Sequence, residues 1–197
     1  MTEKGYIKFN CHWIKSSPLN EETIYELNQW REKLFKLGLI GAYSTGIGYG
    51  NLSIRLKNNA FLITGTSTGQ FTKLNVEHYT QVISYNFLDN IITCKGPIKA
   101  SSESLTHASI YESDPDAHAV IHVHSLQLWK KLLNKVPTSA TSVEYGTPKM
   151  AIEIKRLFIE TNLKEKKILA MGGHQEGVIS YGQSIDEAGK LLLDSVL

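Results

Sequence analysis

Two hydrophobic periods divide the chain. Ile24, Leu27, Trp30, Leu34 and Leu37 recur at helical spacing, with Asn20 as cap, Glu21 and Glu22 at the positive end and Gly38 as the stop. A glycine-rich passage, Gly41, Gly46, Gly48 and Gly50, then feeds residues 51–56, which alternate with period two and read as a strand. Asn58-Asn59 offers a turn into a second strand over 60–64, and residues 81–87 and 91–95 read as a hairpin around Asp89-Asn90. Gly96 to Glu103 opens a helix that runs to Glu112 and is broken at Asp114-Pro115-Asp116. Residues 119–124 form a buried strand, and 125–134 a helix with Leu126, Trp129, Leu132 and Leu133 inward. Thr147-Pro148 starts the next helix, with Met150, Ala151, Ile154, Leu157, Phe158 and Thr161 on one side. Strands over 167–171 and 178–181 flank a loop, and Ser184 with Glu187 forms a capping box for the last helix. Residues 1–19 hold no period; Trp13 and Pro18 mark an extended lead-in packed on the body. Hairpins with helices between and after them point to an α/β fold, a largely antiparallel sheet with helices on both sides.

Composition narrows the classes. A chain of 197 residues with 42% hydrophobic and 20% charged positions reads as one soluble domain, 1–197, with a core of its own. A formal charge of +2, with Lys and Arg scattered rather than striped, gives no footprint for nucleic acid. Cys11 and Cys94 are far apart and match no paired motif, so a reducing, cytoplasmic setting is the expectation. Met1 to Tyr6 lacks a leader's apolar run, and no stretch approaches the ~18 apolar residues of a membrane span.

The candidate chemistry centres on Ala119-Val120-Ile121-His122-Val123-His124. Strand side chains alternate, so His122 and His124 face one way, roughly 6.5–7 Å apart along the strand. Such a pair is either a metal site or two hydrogen-bonded core histidines. His174, set among glycines between two buried strands, supplies a third imidazole. Three histidines leave one of zinc's four positions open, as catalytic sites do. Glu103, in the first turn of a helix, is the carboxylate that could fill it. Asn51, Thr66, Ser67, Ser101 and Ser102 are small donors at loop junctions, and Ser101 and Ser102 offer an anion seat at a helix start with Lys99 nearby. Taken singly, these segments read rather as a cap at Ser102 and a plain turn over 65–69.

In order, Gly50-Asn51-Leu52-Ser53, Ile63-Thr64-Gly65-Thr66, Ala100-Ser101-Ser102-Glu103 with His107 and Tyr111, Asp114-Pro115-Asp116-Ala117, His122-Val123-His124 and His174 resemble the class II aldolase/adducin family over residues 20–195. The resemblance implies a three-layer α/β/α sandwich around a mainly antiparallel sheet. It implies Zn2+, or another divalent ion such as Mn2+, Co2+ or Fe2+, on His122, His124 and His174. Glu103 becomes the acid/base and a ligand of the empty metal, and Gly50, Asn51, Thr66, Ser67, Ser101 and Ser102 the phosphate seat. It further implies a homotetramer with active sites at subunit contacts. The expected activity is a lyase of aldolase type acting on a small hydroxy-carbonyl compound, a sugar phosphate, through a metal-stabilised enediolate. Dehydratase, decarboxylase and 4-epimerase chemistry on the same scaffold are the alternatives, and a metal-free adducin-like scaffold is the rival of another class. Two departures stand out. The third motif reads Gly173-His174-Gln175-Glu176-Gly177, where Glu176 is either a second acid/base or a surface charge. The stretch from His124 to Thr147 is shorter than in the sugar-phosphate aldolases, so the segment carrying their catalytic tyrosine has no clear counterpart; Tyr145 lies nearby and reads equally as a strand-end packing residue.

Overall fold

The histidine strand lies in the interior of an eight-stranded sheet. The computed structural model describes residues 7–196; Met1 to Tyr6, read above as lacking a leader's apolar run, and Leu197 lie outside them. The first half of the chain runs β1 (Asn10–Lys15), α1 (Glu21–Lys36), β2 (Gly41–Ala42), β3 (Gly48–Tyr49), β4 (Asn51–Arg55), β5 (Phe61–Thr64), a 3-10 turn (Val76–His78), β6 (Tyr79–Asn86) and β7 (Ile91–Gly96). The second half runs α2 (Ser104–Ser113), β8 (Ala119–His124), α3 (Leu126–Leu132), α4 (Pro148–Glu160), α5 (Leu163–Lys166), β9 (Ile168–Ala170), β10 (Gly177–Gly182) and α6 (Ile185–Val196).

The strand order is β1-β7-β6-β5-β4-β8-β10-β9, with β2 and β3 in a separate small ladder. Among the strands of the described residues only the β1–β7 pairing in this sheet is parallel. Helices α1, α3 and α6 pack on one face, where Ala119, Ile121 and Val123 of β8 join Leu27, Trp30, Leu34, Leu128 and Leu192. On the other face α2, α4 and α5 bury Leu105, Ile110, Met150, Ile154 and Leu163 against Phe61, Ile63 and Val120. Strand alternation carries His122 and His124 to this second face, beyond Val120. Among the described residues no helix is long and apolar enough to cross a membrane.

Local chemistry sets the boundaries. Asn20 accepts from the Thr23 N–H at 3.1 Å, and Thr147 and Ser125 cap α4 and α3 in the same way. Asn58 and Asn59 both sit at positive φ, 58° and 59°, as a mirror-image hairpin turn requires, which asparagine tolerates. Three expectations need revision. The lead-in is a true strand, β1, held to β7 from Asn10↔Ile91 to Lys15↔Gly96. In α3 Leu126 is exposed and Leu128 buried, because a helix of two turns can shift phase to seat Leu128 and Leu132, four residues apart, against the sheet. The α6 box is half made: Ser184 accepts from the Glu187 N–H at 3.1 Å, while Glu187 bonds the Gln183 N–H at 2.7 Å and Lys167 at 2.6 Å.

Candidate metal centre and anion cleft

His122 and His124 arrive on one strand and His174 on the turn between β9 and β10. Gly177 stands opposite His124 in the ladder, and a Cβ there would lie 2.6 Å from the His174 ring. The missing side chain lets that imidazole fold over β8. Gly50 acts likewise, with φ +77 and a virtual Cβ 2.6 Å from Ile40, at the entry to β4 where Asn51 pairs with His122. One ring nitrogen from each histidine lies within 4.8 Å of the others, and all three residues are buried. The Nε2 atoms of His124 and His174 are 2.9 Å apart, a separation that demands a proton or a cation between two lone pairs. His122 Nε2 is buried with no hydrogen-bond partner. Burial, then His124 and His174, hold His122 well below its ordinary pKa, so it is the neutral imidazole that a metal requires.

Asn51 Nδ2 lies 3.4 Å from His122 Nδ1, while its Oδ1 is buried without a partner. Exchanging the amide ends lets the His122 Nδ1–H donate to Oδ1 and leaves the Nε2 lone pair for a ligand. The three histidines therefore fit a divalent ion, on the observations of the orphaned nitrogen and the facing Nε2 pair.

Glu103 occupies the cap position of α2, one residue before the expected first turn, and its carboxylate caps nothing. Only 2% exposed, it accepts from the Thr106 hydroxyl at 2.8 Å through Oε2, while Oε1 has no partner. Burial pushes its pKa up to about 7, against smaller opposing effects of Thr106 and Lys8. A carboxyl that titrates near neutrality both gives and takes a proton. It lines the same cleft as the histidines but stands outside their cluster. One turn on, His107 is fully buried; its Nδ1 lies 2.6 Å from Ser53 Oγ, which also lies 2.7 Å from the Tyr111 hydroxyl. Burial lowers the His107 pKa to about 3.

Gly50, Asn51, Thr66, Ser67, Ser101 and Ser102 all line this cleft. A bridge between Gly65 and Ala100, with the Thr66 N–H donating to Lys99 O at 2.9 Å, brings the two donor segments together. Lys99 itself does not line the cleft; its ammonium is 6.0 Å from the Trp13 ring centroid. Ser102 does not cap α2; Ser101 O accepts from both Ser104 N–H and Oγ–H, at 3.1 and 2.7 Å.

Sequence reading missed several residues. Arg31 of α1, 1% exposed, donates to the carbonyls of Thr68, Gly69 and Thr72 behind the 65–69 loop. Tyr43 and Tyr49, from the glycine-rich passage, surround His124: the Tyr43 hydroxyl is 2.8 Å from Nδ1, and the Tyr49 ring stacks at 5.4 Å. Tyr145 lies against the His174 ring, centroids 4.1 Å apart, with Lys8 Nζ 3.5 Å above the tyrosine and 2.8 Å from Glu144. Tyr145 stands out in the sequence beside Thr147-Pro148; the others carry no signal there, since their partners are remote in sequence.

A mixed sheet sandwiched by helices, with a three-histidine cleft beside a buried glutamate, defines a class. The chain belongs to the class II aldolase and adducin N-terminal domain family, whose model matches residues 42–194. It is 35% identical over 86 residues to the 3-oxo-tetronate 4-phosphate decarboxylase of Haemophilus influenzae, covering 44% of this chain and 37% of that protein. It is 30% identical over 101 residues to a Mycoplasma pneumoniae protein named "Probable L-ribulose-5-phosphate 4-epimerase UlaF", covering 50% of this chain and 40% of that one. Both matches thus span well under two thirds of the relative. The fold is similar to that of L-fuculose 1-phosphate aldolase, at 17% identity and a TM-score of 0.67 over 91% of this chain and 83% of that one.

Proposed function

We propose that this protein is a metal-dependent lyase of aldolase type, acting on a small hydroxy-carbonyl compound that bears a phosphate. One observation carries the reading: three convergent buried imidazoles share a cleft with a carboxyl whose Oε1 is buried and unpartnered. A protein that only bound other proteins would gain nothing from such an arrangement, because each orphaned buried polar atom costs about 1–3 kcal/mol. His122, His124 and His174 would hold Zn2+ or a similar ion, which supplies Lewis-acid polarisation of a carbonyl oxygen. Glu103 holds and moves the substrate proton at Oε1. Thr66, Ser67, Ser101 and Ser102, with Asn51 and the Gly50 backbone, seat the phosphate. Tyr145 and Tyr49 line the same cleft.

The decarboxylase reading has one specific support, the local 35% identity to a protein of that name. In it Glu103 protonates the carbon left behind. The test is metal analysis of the purified protein, then assays on L-fuculose 1-phosphate, L-ribulose 5-phosphate and 3-oxo-tetronate 4-phosphate. Aldehyde release, epimer formation and carbon dioxide are scored separately. A chelator is expected to abolish turnover and zinc to restore it, with Glu103→Gln lowering kcat about 10²–10⁴-fold. Full activity in chelated protein and in His122→Ala would exclude the reading.

A further inference from the structure

We propose that Tyr43 and Glu176 form a relay that fixes His124 as an Nε2 ligand and sets the metal affinity of the centre. The inference rests on the reading of His122, His124 and His174 as the metal ligands. Glu176 Oε2 lies 3.8 Å from His124 Nδ1, too far for a direct hydrogen bond. The Tyr43 hydroxyl stands between them, 2.5 Å from the carboxylate and 2.8 Å from Nδ1.

The direction of the relay follows from donor arithmetic. A carboxylate only accepts, so the single phenolic proton is given to Glu176. Tyr43 then presents a lone pair to the imidazole, and His124 Nδ1 must carry the hydrogen. The lone pair is left on Nε2, the atom that faces His174 Nε2 at 2.9 Å. The charge of Glu176 thus reaches the ligand through one hydroxyl and raises its basicity. Tyr49, stacked on the imidazole at an interplanar angle of 26°, keeps the ring in the plane that the relay needs.

The backbone supports the assignment. Glu176 adopts φ +78, a region that costs a residue with a Cβ about 1–3 kcal/mol. Its carbonyl accepts from the Ser125 N–H at 2.9 Å, which ties the strained residue to the end of β8 and so to His124. Glu176 stands outside the lining of the cleft, and its carboxylate accepts from the Tyr43 hydroxyl.

The test is zinc affinity, measured by competition with a chromophoric chelator on the full chain, for wild type, Tyr43→Phe, Glu176→Gln and the double variant. Each single variant is expected to bind Zn2+ about 10–100-fold more weakly. The double variant is expected to be no more than about threefold worse than the weaker single, because the two groups act in series. Melting of the metal-free proteins separates tuning from folding. Zinc affinity within twofold of wild type in both single variants overturns the relay, as does weakening confined to variants whose metal-free melting temperature also falls. If wild type itself binds no zinc, the metal reading fails and the relay with it. Tight binding by wild type and variants alike sinks the relay alone.

Discussion

Glu103 and its unpartnered Oε1 give the clearest pH dependence at the scale of a single residue. Burial raises its folded pKa from 4.5 to about 7, so between those values the folded chain holds a proton that the unfolded chain has released. Stability therefore falls as pH rises from about 4.5 through 7. Above that window the whole penalty is present, of order 3 kcal/mol at 1.36 kcal/mol per unit. Glu103→Gln removes the titration and keeps the shape. In metal-free protein it should melt like wild type near pH 4.5 and at a higher temperature at pH 8. Equal melting curves at pH 8 would mean that the carboxylate is already compensated there. The same substitution is expected to cost activity, as stability and function oppose one another at this atom.

Among the elements, α1 does more than cover the sheet. Its Arg31 guanidinium serves three loop carbonyls, from Thr68, Gly69 and Thr72, and so fixes the loop that carries Thr66 and Ser67 into the cleft. Arg31→Met leaves those carbonyls without donors and should lower stability by about 2–4 kcal/mol in urea unfolding. Inhibition by inorganic phosphate should weaken with it. Arg31→Lys should not rescue, because an ammonium cannot reproduce the planar fork. Wild-type stability in Arg31→Met would show that water already serves the loop. The helix itself was legible from its apolar stripe and its Asn20 cap, but the role of Arg31 was not, since its hydrogen-bond partners lie 37 to 41 residues away. Strand β1 was illegible for a related reason. Among the described residues it pairs with β7 alone, and its residues are largely exposed, so no period of two marks it. His122 and His124 were legible because alternation along a strand is local physics, and their rings do meet, centroids 4.9 Å apart. Tyr43, 81 positions from His124 in a passage marked only by glycine, had no such local signature.

At the scale of the molecule, the sheet separates stability from chemistry by its two faces. Under α1, α3 and α6 the interface is mainly apolar, from Leu34 and Trp30 across to Ile121 and Leu192. The opposite face carries a polar column along β4 and β8, with Asn51 beside His122, then Ser53 bonded to both His107 and Tyr111 of α2. This column ties the helix headed by Glu103 to the strand that bears the histidines. The neighbours Ile121 and His122 point to different faces, which gives a sharp test. Ile121→Val should cost about 0.5–1.5 kcal/mol and leave zinc affinity within twofold of wild type. Ser53→Ala deletes an oxygen shared by two buried groups and should cost about 2–4 kcal/mol. It should also lower kcat, because α2 then loses the contact that sets Glu103 against the strand. Both are read by urea unfolding, with zinc competition for the first and turnover for the second. A tenfold loss of zinc affinity in Ile121→Val would show that packing on the apolar face reaches through the sheet, and that the two faces are not independent.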